Sequence, residues 1–259
     1  GWQFIIVRAI LFLIFLLLAV CPSYAAPPSL AAGSWYEVPN SRLDAISSPE
    51  PPHSQNLRGI TSYSGGAFDH TRNRLLVHGG GHSDGGDNSI YSFDVDDLSW
   101  ERIYTTGRNE NGYYSELTAN AAINLPAAIG DDGQPLLYPD GSPITKHTYD
   151  GLLYIEDLDS LIIFPNSTHW RRGSNVNDGK MSLYNLATNT WSYRQLTFSA
   201  GHFNNSTGID PTTGYVWIYG DLGRTTIYDA VNDVVIQDVD NYLQSASTAE
   251  IDEKNRLLV

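Results

Sequence analysis

Cysteine is almost absent from this chain of 259 residues: Cys21 is the only one, and it falls inside a segment that reads as a cleavable leader. The remainder has no disulfide framework, no thiolate nucleophile and no cysteine metal ligand. Its stability must come from packed apolar faces, for which more than 200 residues suffice. Basic residues are scarce too, with 15 Lys and Arg against 29 Asp and Glu, a formal net charge of −14. Phosphate binding needs clusters of Lys and Arg, so this balance argues against nucleic acid as a partner. Helical periodicity is missing after the leader. The chain also lacks an HExxH pair, a phosphate loop and any Ser-His-Asp spacing.

What is present begins with an export signal. Arg8 supplies the positive region, Ala9 to Val20 an apolar core of twelve residues, and Ser23-Tyr24-Ala25 the small-x-small cleavage pattern. Residues 1–25 therefore read as a signal peptide, which places the protein outside the cell or in the periplasm with no membrane span after cleavage. Retention as an anchor is the competing reading, because counting from Phe4 lengthens the apolar run past Arg8. Val20 is bulky where a lipoprotein signal needs a small residue before Cys21. Residues 26–62 read as a linker holding one outer strand at 34–39.

The rest repeats one phrase four times: a polar turn, an acidic or hydroxylated corner, then large apolar residues. It starts at Phe68, Ile155, Ile209 and Ile251, at spacings of 87, 54 and 42 residues. Each copy predicts a hairpin, with Asp, Asn or Gly satisfying the turn. Two copies continue into a second hairpin in which Phe93 to Trp100 and Tyr184 to Trp191 are each seven residues apart. The third places Val235 at the Trp position. Four short strands per repeat predict an all-β fold, a β-propeller of four-stranded blades. The boundaries are blade 1 at 63–103, a loop insertion at 104–145, blade 2 at 146–198, blade 3 at 202–240 and the start of blade 4 at 245–259. About three and a half blades are thus expected, with the ring continuing past Val259. The strand at 34–39, with Trp35 in its core, would close such a ring and hide an edge.

The apolar run before Gly79-Gly80, followed by Tyr91 and Trp100, resembles a kelch motif of the kind in the galactose oxidase central domain. The resemblance spans residues 63–259 and is fullest in the first blade. Blade 2 has Pro165-Asn166 in place of the glycine doublet, and blade 3 keeps only Gly220. The resemblance implies a kelch-type propeller and raises copper radical oxidation as an activity. That chemistry requires a tyrosine cross-linked to a cysteine, which a chain losing Cys21 with its leader does not have.

Strand alternation sends the loops between second and third strands to the same end as the connections between blades. Binding groups concentrate on such loops. One loop, Gly79 to Asn88, carries His82, Asp84, Asp87 and Asn88 among five glycines. Oxygen donors on a glycine loop suit Ca²⁺, and Asp84, Asp87 and Asn88 are its candidates. The plainer reading is a tight turn capped by Asp and Asn. A second loop carries Trp170, Arg171 and Arg172, an aromatic and cationic surface for an acidic glycan or a lid on the blade. His147 and His202 precede the innermost strands of blades 2 and 3, with Tyr149 beside the first. They suit the mouth of a central channel, or cross-blade hydrogen bonds. Asp69, Glu156, Asp210 and Asp252 recur in the hairpin turn and so serve the blade, not a reaction.

Together these features favour an exported binding module for carbohydrate or protein, with no cofactor and no catalysis of its own. The alternative is a carbohydrate-active hydrolase or lyase whose site extends into further blades. No pair of carboxylates is singled out for glycoside hydrolysis.

Overall fold

The computed structural model describes residues 29–39, 41–43, 46, 64–79, 89–104, 142–143, 147–165, 180–198, 206–220, 223–240, 251–252, 254–255 and 257–258. Within them the chain is all-β, with no α-helix. Sheet 1 comprises β1 (Gly66–Asp69), β2 (Arg74–Val77), β3 (Ile90–Asp94) and β4 (Ser99–Tyr104). Sheet 2 comprises β5 (Leu152–Ile155), β6 (Ser160–Ile163), β7 (Lys180–Asn185) and β8 (Thr190–Gln195). Sheet 3 comprises β9 (Ser206–Ile209), β10 (Val216–Gly220), β11 (Arg224–Asp229) and β12 (Val234–Asp240). Each is an antiparallel meander in chain order. A separate hairpin pairs β13 (Ile251–Asp252) with β14 (Leu257–Leu258).

The sheets stack face to face, and the two-residue period of a strand assigns each side chain to a neighbour. From sheet 2, Leu152, Tyr154, Leu161, Ile163 and Tyr184 join Ala67, Leu76 and Ile90 of sheet 1 in one core. The alternate residues Ile155, Ile162, Met181 and Leu183 join Val216, Ile218 and Tyr228 of sheet 3 in another. Covering both faces explains why all four residues of β6 are buried. The first strands adjoin, with β5 beside both β1 and β9. The other face of sheet 1 is covered near Val77 and Tyr91 by Leu43 and Ile46.

Trp35 departs from expectation. It is 97% exposed, and residues 34–38 have no strand assignment, so the predicted core tryptophan is corrected. An outer strand buries its tryptophan only against strands that pair with it, and no described strand pairs here. Trp100 and Trp191 are half-buried. Each lies opposite an aromatic on the adjoining strand, Phe93 at 5.2 Å and Tyr184 at 5.0 Å between ring centroids.

The first and last hairpins of the three sheets share one design. A four-residue loop ends in a residue of positive φ: Asn73, Leu98, Asp159, Asn189, Gly214 or Asp233. In five of them the residue before the loop is Asp or Asn, whose side chain accepts loop backbone N–H groups. The exception is β5–β6, where Ile155 precedes a 3₁₀ turn at Glu156–Leu158. Glu156 is therefore an exposed loop residue, one place beyond the position held by Asp69 and Asp210. The acid engaged in that turn is Asp159.

Second hairpins add a further lock. The phenol of Tyr184 donates to Asn189 at 2.9 Å, and Tyr228 donates to Asp233. Burial and the Asp233 bond push the Tyr228 phenol up to about 12. Sheet 1 has Phe93 and Leu98 at these positions and cannot make the bond. A β-carbon in the left-handed region costs about 1–2 kcal/mol, and asparagine tolerates it best after glycine. The double variant Phe93→Tyr/Leu98→Asn is expected to raise stability by about 1–2 kcal/mol, read from the urea midpoint. A lower midpoint than wild type would show that Leu98 packing outweighs the strain.

Sheets 1 and 2 are also clamped at this turn-bearing end. Arg72 makes a bidentate pair with Asp159, both bonds at 2.7 Å, across 87 residues of sequence. Asp69, fully buried, accepts from Arg72 at 3.1 Å and from Arg74 Nε at 2.9 Å. Tyr154 donates to Asp159 at 2.9 Å and adjoins Thr71 at 3.1 Å. Among the described residues, no helix is long and apolar enough to cross a membrane.

Candidate functional site

The opposite end of the stack carries the loops. His82, Asp84, Asp87, Asn88, Trp170, Arg171, Arg172 and His202 lie outside the described residues, as do the leader at 1–25 and most of the insertion at 104–145. Among the described residues no cluster of three or more His, Cys, Asp or Glu is placed to hold a metal ion. The Ca²⁺ candidates are not among those residues. His147 and Tyr149 are described, and they fall together just before β5.

The segment His147–Asp150 is held from both sides. Thr148 Oγ1 donates to the His78 carbonyl at 3.1 Å and accepts from Gly65 N–H at 3.3 Å, which binds it to sheet 1. Asp150 Oδ2 accepts from Thr207 N–H at 3.1 Å, and its carbonyl accepts from the Thr207 hydroxyl, which binds it to sheet 3. A turn closes behind it through Gly151 N–H to Thr148 O at 2.7 Å. Because β1, β5 and β9 are neighbours, four consecutive residues can join three sheets.

Side chains at this junction are largely hidden. His147 and Thr148 are 3% and 2% exposed, while Tyr149 and Asp150 are half-buried. The Tyr149 hydroxyl lies 3.0 Å from His147 Nδ1, and the two rings meet edge to face at 5.3 Å. Tyr149 has φ of 44°, a left-handed conformation unusual for a bulky residue. Both predicted functional residues thus meet in one hydrogen-bonded pair. Bonds to the neighbouring sheets are made by the adjoining Thr148 and Asp150.

Two glycines make the approach possible. A Cβ on Gly65 would stand 2.0 Å from the Tyr149 carbonyl oxygen, and one on Gly79 would stand 2.6 Å from Thr148 Oγ1. Gly79, at φ +133°, also adopts backbone that side chains rarely allow. The first glycine of the run thus has a packing role. Gly65→Ala meets fixed backbone and is expected to cost about 2–3 kcal/mol while displacing Tyr149. Thermal unfolding measures the first effect, and near-ultraviolet circular dichroism of the tyrosine measures the second. A variant with wild-type melting would refute the close approach.

His78 was not distinguished in the sequence. It is fully buried at the end of β2, with Nδ1 3.3 Å from the Ser89 carbonyl, which places the ring proton on Nδ1. Its ring lies 6.0 Å from that of Trp191 across the sheet interface. A histidine closing an apolar run carries no sequence signal for such a role.

Fold and junction together define an all-β array of stacked four-stranded antiparallel meanders, with a polar–aromatic pair at its loop-bearing end. No protein-family model matches the chain, and no curated protein matches it.

Proposed function

We propose that this chain is an exported kelch-type β-propeller that binds carbohydrate or protein through its loop-bearing end, without catalysis of its own. The observation that carries the reading is the junction at 147–150. There a rigid three-sheet stack holds an aromatic–imidazole pair at the end from which the polar loops also emerge. Rigid scaffolds presenting loops are how such proteins build binding surfaces. The sheets support the propeller reading by their four-strand meanders and adjoining first strands. The glycine loop with His82, Asp84, Asp87 and Asn88, the Trp170-Arg171-Arg172 loop and His202 complete the proposed surface. Ca²⁺ at Asp84, Asp87 and Asn88 remains part of the test rather than of the proposal.

The experiment is a glycan-array screen of the purified full chain, with and without Ca²⁺. Binding that falls in Trp170→Ala is the expected result for carbohydrate. Silence across the array by a well-folded chain would turn the reading to a protein partner. Turnover of any arrayed glycan would refute the non-catalytic reading.

A further inference from the structure

We infer that residues 34–38 form a strap that closes over the outer face of sheet 1, with Glu37 pairing with Arg102. Cross-strand partners share one face of a sheet. The register therefore sets Phe68, Leu75, Phe93 and Trp100 in one row on the face turned away from sheet 2. Val77, Tyr91 and Arg102 form the next row on that face. Leu43 and Ile46 pack on the second row. The first is covered only in part: Phe68 at its end is 37% exposed, and Leu75, Phe93 and Trp100 are half-buried. Arg102 sets the chemistry of the missing cover. Its Nη1 atom is shut off from solvent and has no hydrogen-bond partner. A guanidinium nitrogen held so is costly, and a carboxylate relieves it through charge-assisted bonds. Neither row holds an acid, and Glu101, next in the chain, faces the other way toward Arg74 at 3.3 Å.

The occupant is the segment that leads into the existing cover. Trp35 is 97% exposed and Tyr36 39%, and Glu37 beside them is exposed as well. Segment and face thus carry matching halves, two aromatics with a carboxylate against a half-open apolar row with a cation. The Ser41 hydroxyl donates to the Val38 carbonyl at 2.8 Å, which makes a turn between this segment and the anchors Leu43 and Ile46. From Leu43 back to Glu37 the chain can reach about 20 Å. In the sheet, β4 lies about 10 Å from β2, so the span suffices. Closure would withdraw Trp35 from water and shield an aromatic row that would otherwise invite self-association.

Cross-linking tests the placement. In the full chain with Cys21→Ser, the pair Glu37→Cys/Arg102→Cys is expected to form an intrachain disulfide on mild oxidation, read as loss of alkylatable thiol in a monomer on a non-reducing gel. The control pair Glu37→Cys/Glu101→Cys, with its second thiol on the opposite face, is expected to stay reduced. Free thiols in the first pair, or equal oxidation of both, would overturn the inference. Disulfide-linked dimers would overturn it in favour of a second copy on this face. Charge is tested without thiols. Glu37→Gln is expected to lower the melting temperature by about 2–4 °C in wild type and to leave it unchanged in Arg102→Met. No shift in wild type, or the same shift in both backgrounds, would overturn the pairing. Asp44→Asn, run in the same two backgrounds, checks the other acid of this stretch. Coupling to Arg102 there and not at Glu37 would likewise overturn the assignment.

Discussion

Asp69→Ala is expected to destabilise the protein by about 3 kcal/mol, with the loss concentrated at the contact between sheets 1 and 2. The Asp69 carboxylate is fully buried and accepts bonds from the Arg72 backbone N–H and from both arginine side chains, Arg72 and Arg74. Removing it strips acceptors from two guanidinium groups, of which that of Arg74 is only 12% exposed. Leaving a buried cation short of partners costs more than the intact pair contributes. Arg72 keeps Asp159, so the loss should fall at the lower end for buried pairs. Chemical denaturation of wild type and variant provides the measurement. A shift below about 1 kcal/mol would show that water replaces the carboxylate at no cost.

The same clamp carries a pH dependence. Arg72 holds the Asp159 carboxyl below its ordinary value of 3.8, with help from the Tyr154 hydroxyl. A carboxyl depressed in the folded state stabilises the fold fully above its unfolded value. That contribution is lost as pH falls through 3.8 toward the folded value. Urea midpoints of wild type and Asp159→Asn should therefore differ at neutral pH and converge in acid. A constant gap across that range would mean that Asp159 acts through shape rather than charge.

Ile162→Ala should cost about 3–4 kcal/mol, the larger effect. Ile162 has no exposed surface and lies in the core shared by sheets 2 and 3, beneath Val216 and Ile218 in the cluster that also holds Tyr228. Truncation removes apolar contact and leaves a cavity that two stacked sheets cannot close without sliding. Val234→Ala on outer strand β12, where Val234 is 48% exposed, should change stability by less than about 0.5 kcal/mol. The pair of variants in urea distinguishes a tightly packed sheet interface from a loose one. Equal midpoints for the two would refute the stacked arrangement.

Much of this fold was legible in the chain. Local signals settle local structure, so the hairpin at Phe68–Val77, its counterpart at Ile209–Trp217 and the facing of Phe93 with Trp100 could all be read from turn residues and spacing. The pairing of His147 with Tyr149 was half legible: both were candidates, two residues apart, but their hydrogen bond was not. Trp35 failed because its environment depends on strands that its own segment does not encode. Glu156 was placed one residue out, since the repeat aligned on an apolar residue before the turn while the structure aligns on the positive-φ residue that ends it.

By itself, then, the sequence determined that this protein is built from repeated four-stranded antiparallel meanders, which side chains alternate toward a core, and where Asp, Asn and Gly turn the chain. Those outcomes follow from interactions within a few residues, where propensity and a two-residue period suffice. Only the tertiary structure decided that Arg72 would meet Asp159 across 87 residues, that Thr148 and Asp150 would tie sheet 2 to its two neighbours, and that Tyr149 would be held left-handed over His147. A side chain's period states which face it occupies, but its partner is selected when whole sheets pack and buried polar groups must find one another.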